Sequence, residues 1–367
     1  MEKPAQALPA DASALPSSPM LRQTALLLTV LIGLAAPSGG FAREPSAPSS
    51  VYGRPAEPAV AALEAASSLP APLPPQPTTA AAAVANDPDD AARAERIVTA
   101  CLAGLLRTPS ISARMRQRVR VGDHSMVGSG RYLQAGLGEE QRFRFESNLA
   151  ADTRSQTPAR GSFFTVETLE VCDGASFWTY RRWGENPPEV HRVDVARVRQ
   201  RVETITHVSG LDAPAITQHI GGVPRILAWL REWFFFEQAE SAEIDGMPVW
   251  LVEGRWIPQQ AARIFPEVAE SISDGVVPPD ALPDGVPWSV RLSIGKSELF
   301  PFRIEYFAVP GERPVAEAEV QTVGVFELYD VLLGEPVDQT EFIYAPASEA
   351  VIDTTNGHLG NIFGLRP

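Results

Sequence analysis

One stretch, from Phe163 to Trp183, limits the folds open to this chain more than any other. It contains two runs crowded with aromatic and β-branched residues, which suit a pleated and half-buried surface. The dipeptide Asp173-Gly174 separates the runs, and both of its residues tolerate the positive φ angles of a tight hairpin turn. The stretch therefore predicts the central hairpin of a large antiparallel sheet.

Alternating side chains predict further strands on both sides of this hairpin. Between Ser112 and Val121 every second residue is an arginine, so one face of a strand is strongly basic. This arginine comb consists of Arg114, Arg116, Arg118 and Arg120. It could contact an anionic headgroup or an acidic partner, or it could be a solvated strand face that pairs with residues such as Glu146. The other predicted strands are 126–134, 140–148, 189–195, 239–244, 248–256, 288–294, 302–308 and 318–328.

Helical periodicity is confined to a few segments. Asp89 to Arg107 combines an apolar stripe with acidic residues that suit a helix N-terminus, and a shorter helix is predicted near 196–204. The most apolar helix is predicted from Val223 to Phe236, where apolar side chains cover more than half of the circumference. The Pro-, Asp- and Gly-rich segment 257–287 is predicted to be an excursion with a short helix.

The N-terminal part of the chain predicts export. Residues 1–42 end in a signal-peptide pattern, in which Arg22 precedes an apolar run and Gly40-Phe41-Ala42 supplies small residues for cleavage; Met20 is an alternative start. An uncleaved signal anchor is the competing interpretation. Residues 43–88, rich in Ala, Pro and Ser, predict a disordered linker. We therefore expect a periplasmic or otherwise exported protein.

Charge and motif content argue against several classes of function. A net charge of −14 opposes non-specific binding to nucleic acid or to an anionic membrane. No pair of the five histidines has metal-ligand spacing, and no Gly-x-Ser-x-Gly motif signals a hydrolase nucleophile. Acidic residues are scattered rather than paired. We therefore predict no cofactor, no metal and no catalytic residues.

Cys101 and Cys172 are the only cysteines, one on the first predicted helix and one beside the hairpin turn. In an oxidising compartment they could form a disulfide that ties the helix to the sheet. Two buried free thiols are an equally ordinary outcome, because cysteine packs as a small hydrophobic residue.

Several short motifs give the chain a resemblance to a known family. They are Gly130-Arg131-Tyr132 before the Arg142–Phe145 strand, Asp173-Gly174 with Trp178 and Tyr180, Leu299-Phe300-Pro301 before Ile304, and the run Val325–Val331 followed by Phe342 and Pro346. In order and spacing, residues 89–346 resemble the LolA/LolB/LppX-like periplasmic lipoprotein-carrier superfamily. The chain lacks the Arg-Pro pair that the family has before its third strand, and 257–287 is longer than a compact carrier needs.

The resemblance implies an α+β fold, an open antiparallel β half-barrel with helices capping its concave face. It places the domain at 89–346 and leaves 347–367 as a C-terminal tail. A lipid-binding cavity would then be lined by aromatic and aliphatic residues of the strands and of the apolar helix. These are Phe143, Phe145, Trp178, Tyr180, Leu227, Leu230, Trp233 and Phe234. Their alternative role is an ordinary hydrophobic core.

Two main hypotheses for function follow. The first is an exported, non-enzymatic binding protein that holds a lipid or lipoprotein acyl chain in an apolar cavity, with membrane-associated donor and acceptor proteins as partners. The second is a periplasmic sensor or scaffold on the same fold, with a closed cavity and protein contacts on its outer face. A secreted hydrolase is a third and weaker alternative.

Overall fold

A computed structural model describes residues 88–121, 124–151, 165–209, 220–272, 275–309, 320–346 and 350–363. The predicted signal peptide lies outside these residues, and so does the predicted linker up to residue 87. Among the described helices, none combines the length and the apolar character that crossing a bilayer requires.

The first half of the domain is a helix followed by six strands. Helix α1, Pro88–Arg107, has Asp89 and Asp90 in its first turn, where carboxylates interact favourably with the helix dipole. One stripe of α1 is buried, as its sequence pattern predicts. The strands that follow are β1 (Ser110–Val121), β2 (His124–Ala135), β3 (Arg142–Ala151), β4 (Thr165–Cys172), β5 (Ser176–Trp183) and β6 (Glu189–Asp194).

The second half begins with two helices and continues with strands. The helices are α2 (Val195–Ser209) and α3 (Gly222–Trp233). The elements that follow are β7 (Phe234–Ile244), β8 (Met247–Trp256), α4 (Pro258–Ile264), β9 (Ser289–Gly295), β10 (Pro301–Ala308), β11 (Gln321–Leu333), β12 (Val351–Asp353) and α5 (Thr355–Phe363). Between α4 and β9, the described part of the predicted excursion contains two short 3-10 turns.

All twelve described strands form one sheet in the order β12-β6-β5-β4-β3-β2-β1-β11-β10-β9-β8-β7. Neighbouring strands are antiparallel except β12, which pairs with β6 in parallel. The edge strands β12 and β7 are not paired with each other, so the sheet is open. The predicted fold class, an open antiparallel sheet with helices in an α+β fold, is confirmed.

The sheet is strongly curved. Strands β3 and β11 are separated by β2 and β1, so their backbones would lie about 14 Å apart in a flat sheet. The rings of Phe145 and Phe326 nevertheless stack with their centroids 6.1 Å apart. The face that carries these two rings is therefore concave.

Helices cover this concave face because the chain must pass from β6 near one edge to β7 at the other. The connection runs through α2 and α3, and α3 contacts β3, β7 and α1. Buried side chains of the helices and of the concave face form one continuous hydrophobic core. The core is thus enclosed by the bent sheet on one side and by the helices on the other.

The apolar helix is shorter than predicted. Helix α3 ends at Trp233, and Phe234 begins β7, whereas the sequence pattern placed residues 223–236 in a single helix. In β7 the side chains of Phe234 and Phe236 are buried while that of Phe235 is 50% exposed. Phenylalanine favours β-strands. Over so short a run of apolar residues, the sequence pattern does not distinguish a helix from a strand.

The C-terminal part of the chain binds the convex face. Arg131 forms ion pairs with Glu146 at 2.7 Å and with Glu341 at 2.9 Å, and Arg144 donates a hydrogen bond to the Glu341 carbonyl oxygen. Phe342 is buried against Leu133 of β2 in a small separate core. Past the predicted boundary at Pro346, β12 extends the sheet and α5 packs against α2 and β6.

This ion-pair network makes a testable contribution to acid stability. Burial alone would raise the pKa of Glu146, but hydrogen bonds and charges of Arg131 and Arg144 outweigh it and hold the pKa below its ordinary value. A lowered pKa stabilises the folded state at neutral pH, and that stability is lost as the pH falls through the lowered value. We expect Glu146→Gln to lower the melting temperature at pH 7 and to approach wild type only as the pH falls below the lowered pKa of Glu146.

The control is Glu335→Gln, which removes an exposed carboxylate of the same C-terminal region. It should leave the melting temperature unchanged across this pH range. Equal effects of the two substitutions at pH 7 would contradict a specific role for the Glu146 network.

Candidate functional site

The N-terminal end of α3 is fixed to the concave face by a chain of hydrogen bonds. The backbone N–H of Val223 donates to the hydroxyl of Tyr132, which donates in turn to Oε1 of Gln134 at 2.6 Å. The Gln134 side-chain amide then donates to the carbonyl oxygen of Leu105 at 2.9 Å. Two buried side chains of β2 therefore link the start of α3 to the last turn of α1.

Two glycines allow this close approach. A Cβ atom on Gly221 would lie 2.5 Å from Cζ of Phe143, and Gly222 has a φ of +72° with the Tyr132 ring beside it. Only glycine adopts the left-handed conformation freely, and it leaves room for the two rings. The pair Gly221-Gly222 therefore sets how near α3 lies to the sheet.

Glu170 is the charged group at this helix end. Its carboxylate is buried on β4 and accepts a hydrogen bond from the backbone N–H of Gly222, where the helix dipole favours negative charge. Burial raises the pKa of Glu170, while the guanidinium groups of Arg225 and Arg181 act in the opposite direction. A carboxyl and two guanidinium groups are thus close together inside the fold.

Six of the eight residues predicted to line a cavity come together in the core. Phe143, Phe145, Leu227, Leu230 and Phe234 are fully buried, and Trp233 packs partly buried against them. The other two predicted lining residues lie on the opposite face of the sheet. Trp178 contacts Tyr344 and the guanidinium group of Arg192 on the convex side, and Tyr180 has the same strand parity as Trp178.

Register explains this separation. Phe143 pairs across β3 and β4 with Cys172, which pairs with Phe177, so Phe177 rather than Trp178 shares the face of Phe143. Directly paired residues in a sheet point to the same side, and a shift of one residue reverses the face. Sequence alternation alone does not determine that register.

An aromatic cluster occupies the region where α3 meets β7. Neighbouring ring centroids lie between 4.7 and 6.5 Å apart. The rings belong to Trp229, Trp233, Phe234, Trp256 and Phe265. The indole N–H of Trp256 donates to the Pro287 carbonyl oxygen at 2.6 Å, which fixes the excursion 257–287 over this end of the core.

The arginine comb lies on the convex face of β1. Arg114 and Arg116 both contact the Tyr329 ring, and they form ion pairs with Asp330 and Glu327 of β11 at 3.4 and 3.8 Å. Arg120 donates a hydrogen bond to the side chain of Gln321 at 2.9 Å, and Arg118 lies between Val127 and Val325 in register. Cross-strand acidic partners therefore come from β11, not from Glu146.

Both cysteines are buried free thiols. Cys101 belongs to the buried stripe of α1, and Cys172 ends β4. Burial raises the pKa of Cys172 to about 11 and that of Cys101 further. Neither thiol is a ready nucleophile, because the reactive species is the thiolate.

Sequence reasoning missed a line of polar side chains across the concave face. We name it the concave polar row; it consists of Gln117, Ser147, Thr168 and Arg181 on β1, β3, β4 and β5. Ser147 donates to Oε1 of Gln117 at 2.6 Å above the glycines of β2. In the sequence this row is visible only as polar residues at alternate positions of β3, β4 and β5, and the register shows that these positions face inward.

The concave face is apolar at one end and charged at the other. Within the described ranges, no three His, Cys, Asp or Glu side chains are close enough to hold a metal ion. The groups that converge are aromatic rings, aliphatic side chains, one carboxyl and two guanidinium groups. Such a set suits the binding of an amphiphile.

Comparisons with known proteins find distant structural similarity at low sequence identity. No family model and no curated protein matches the sequence. Among solved structures, the chain is similar to LprF from Mycobacterium bovis (12% identity, TM-score 0.32), covering 68% of this chain and 96% of that one.

Two further solved structures show similar coverage. One is a DUF1329 family protein from Desulfovibrio piger, with 9% identity, a TM-score of 0.27 and coverage of 70% and 98%. The other is titled a putative outer membrane lipoprotein-sorting protein domain from Vibrio parahaemolyticus. It has 10% identity, a TM-score of 0.24 and coverage of 69% and 97%. At these identities and TM-scores, the similar structures show nothing about the function of this chain.

The close approach at Gly221 predicts a large effect of a small substitution. Gly221→Ala should lower the free energy of unfolding by about 1–3 kcal/mol, because the added methyl group overlaps the Phe143 ring. Gly104→Ala is the matched control, since a Cβ at this position of α1 would meet only Leu299, at 3.8 Å or more, and alanine favours a helix by about 0.5–1 kcal/mol. Denaturant unfolding measures both. Equal stability of the Gly221→Ala variant and wild type would contradict the close packing of α3.

Proposed function

We propose that the protein is an exported, non-enzymatic binding protein that holds a lipid or lipoprotein acyl chain between α3 and the concave face. The observation that carries the proposal is the strong bend of the sheet beneath an apolar helix, shown by the stacked rings of Phe145 and Phe326. The residues enclosed there are almost all aromatic or aliphatic. Small-molecule sites have this character, with a few polar groups that orient the ligand.

The energy available from such burial is sufficient for reversible binding. Each methylene group removed from water contributes about 0.8 kcal/mol, so a fourteen-carbon chain contributes about 10 kcal/mol before ordering costs. Leu227 and Leu230 are fully buried, so an acyl chain needs α3 to move away from the sheet. Gly221-Gly222 at the N-terminal end of α3 and the change to β7 at Phe234 are the backbone positions where such a movement can be absorbed.

The proposal also includes export of the protein and partner proteins that exchange the lipid with it. The signal-peptide pattern that ends at Ala42 supports passage into the periplasm or another exported location. A reversible acyl-chain carrier needs a membrane-associated donor and an acceptor. The convex face supports such contacts, because the arginine comb and Trp178 lie there, away from the buried core.

Complete burial of Leu227 and Leu230 also supports a second candidate function. A domain whose interior is packed without a ligand would act as a sensor or scaffold through protein contacts on its outer face. Native mass spectrometry of the purified protein separates the two candidates. Co-purified lipid of defined mass supports the carrier, and a protein that stays lipid-free after incubation with long-chain lipids supports the scaffold.

Filling the space beneath α3 tests the proposed location. We expect Leu230→Trp, which adds volume at a fully buried position, to weaken binding of a fourteen-carbon lipid at least tenfold, because the larger ring occupies part of the path of the chain. Native mass spectrometry or titration calorimetry measures the affinity, and circular dichroism checks that the variant is folded.

Leu332→Trp is the matched control, because Leu332 is 46% exposed. Its affinity should stay within twofold of wild type. A folded Leu230→Trp variant that binds as tightly as wild type would contradict a site under α3.

A further inference from the structure

Among the residues that the structure describes, the buried charges of the concave face do not balance. Glu170 is fully enclosed, and its electrostatic neighbours are Arg225 of α3 and Arg181 of β5. Arg181 and Arg225 also repel each other, which lowers the pKa of Arg225 beyond the effect of burial. Among the described residues, two guanidinium groups thus face one fully buried carboxyl group, and an uncompensated charge in a protein interior is costly.

Hydrogen bonds within the protein engage only some of the donors and acceptors of Glu170, Arg181 and Arg225. One Arg225 amino group donates to the Ile220 carbonyl oxygen at 3.0 Å, and Glu170 is engaged by the N–H of Gly222. The Nε atom of Arg181, in contrast, is buried and has no hydrogen-bond partner among the described residues. A buried guanidinium group with an unused donor is an anion-binding group that its own protein does not satisfy.

Among the described residues, the other charged neighbour of Arg181 is Glu189, which lies towards the solvent. Glu189 pairs with Arg181 across β5 and β6, but its side chain is 58% exposed and lies 3.9 Å from His191. Thr168, in register with Arg181, is buried and carries no charge. Exposed Glu189 is screened by water and therefore compensates the buried guanidinium group only in part.

We propose that Arg181 and Arg225 bind the anionic head, a carboxylate or a phosphate, of a single-chain lipid whose hydrocarbon tail lies beneath α3. This inference rests on the proposed function and adds the chemical class of the ligand. Arg181 and Thr168 follow Ser147 across the sheet, and Ser147 is two residues from Phe145 on the same strand face. The charged end of the site is therefore continuous with the apolar core.

The orientation of the ligand follows from this arrangement. The head lies at β4 and β5, where the concave face is polar, and the tail extends towards the aromatic cluster near β7. An anion between the two guanidinium groups restores charge balance and accepts a hydrogen bond from the unused Nε–H of Arg181. A neutral hydroxyl head can accept the hydrogen bond from Arg181 but leaves the charge uncompensated.

Paired ligands and paired variants test the inference. The full mature chain is titrated with tetradecanoate and with tetradecan-1-ol, which share a tail and differ in the charge of the head, and with inorganic phosphate as the free anion. We expect wild type to prefer tetradecanoate at least tenfold. Arg181→Gln should remove that preference and still bind tetradecan-1-ol.

Arg182→Gln is the matched control, because Arg182 is the next residue, points to the convex face and pairs with Glu167 there. It removes the same charge from the protein and should keep the wild-type preference. Should Arg181→Gln fail to fold, Arg225→Gln removes the other guanidinium group of the cluster and carries the same expectation. Thermal unfolding monitors the fold of each variant.

Each outcome bears on the inference. Equal affinity of wild type for the acid and the alcohol, or a preference that survives in a folded Arg181→Gln variant, overturns the anionic-head site and leaves acyl-chain binding in place. Binding of inorganic phosphate that depends on Arg181, with no gain from a hydrocarbon tail, overturns the lipid as its source. Failure of wild type to bind either fourteen-carbon ligand overturns the proposed function and this inference with it.

Discussion

The bend of the sheet between β1 and β3 is the constraint on which the rest of the structure depends. It occurs across β2, where Gly128 and Gly130 face the concave side. A Cβ atom on either glycine would overlap a backbone carbonyl oxygen of β3, that of Asn148 or of Glu146. Because neither glycine carries a side chain, β1 and β3 turn towards each other, and Phe145 reaches Phe326 over the intervening strands.

Bending gives the concave face two chemically different halves. The half formed by β7 to β11 is apolar and is covered by α1, by the end of α3 and by the excursion 257–287. The half formed by β3 to β6 carries Glu170 and three of the four residues of the concave polar row, Ser147, Thr168 and Arg181. The start of α3 lies on the polar half, where Tyr132 and Glu170 satisfy its first backbone N–H groups. One helix therefore spans both halves and joins the charged end of the site to the apolar end.

Arginine side chains have different environments on the convex and the concave face of the sheet. On the convex face, guanidinium groups have acidic partners or aromatic rings within reach, as at Arg131 and Arg116, and solvent screens what remains. On the concave face, Arg181 and Arg225 share one buried carboxyl group. The concave arrangement leaves an electrostatic requirement that a ligand can meet. The arginine comb is conspicuous in the sequence, and two of its members, Arg114 and Arg116, have acidic partners on β11.

The sequence by itself determined the strands, the hairpin at Asp173-Gly174, the first helix and the antiparallel connectivity, because alternation and turn chemistry are local properties of the chain. It also identified most of the apolar core residues of α3. Tertiary structure alone decided that Trp178 and Tyr180 face away from that core, since the face depends on the register between strands. It likewise decided where α3 gives way to β7. The meeting of Glu170, Arg181 and Arg225 depends on how α3 crosses the bent sheet, and no local pattern records that crossing.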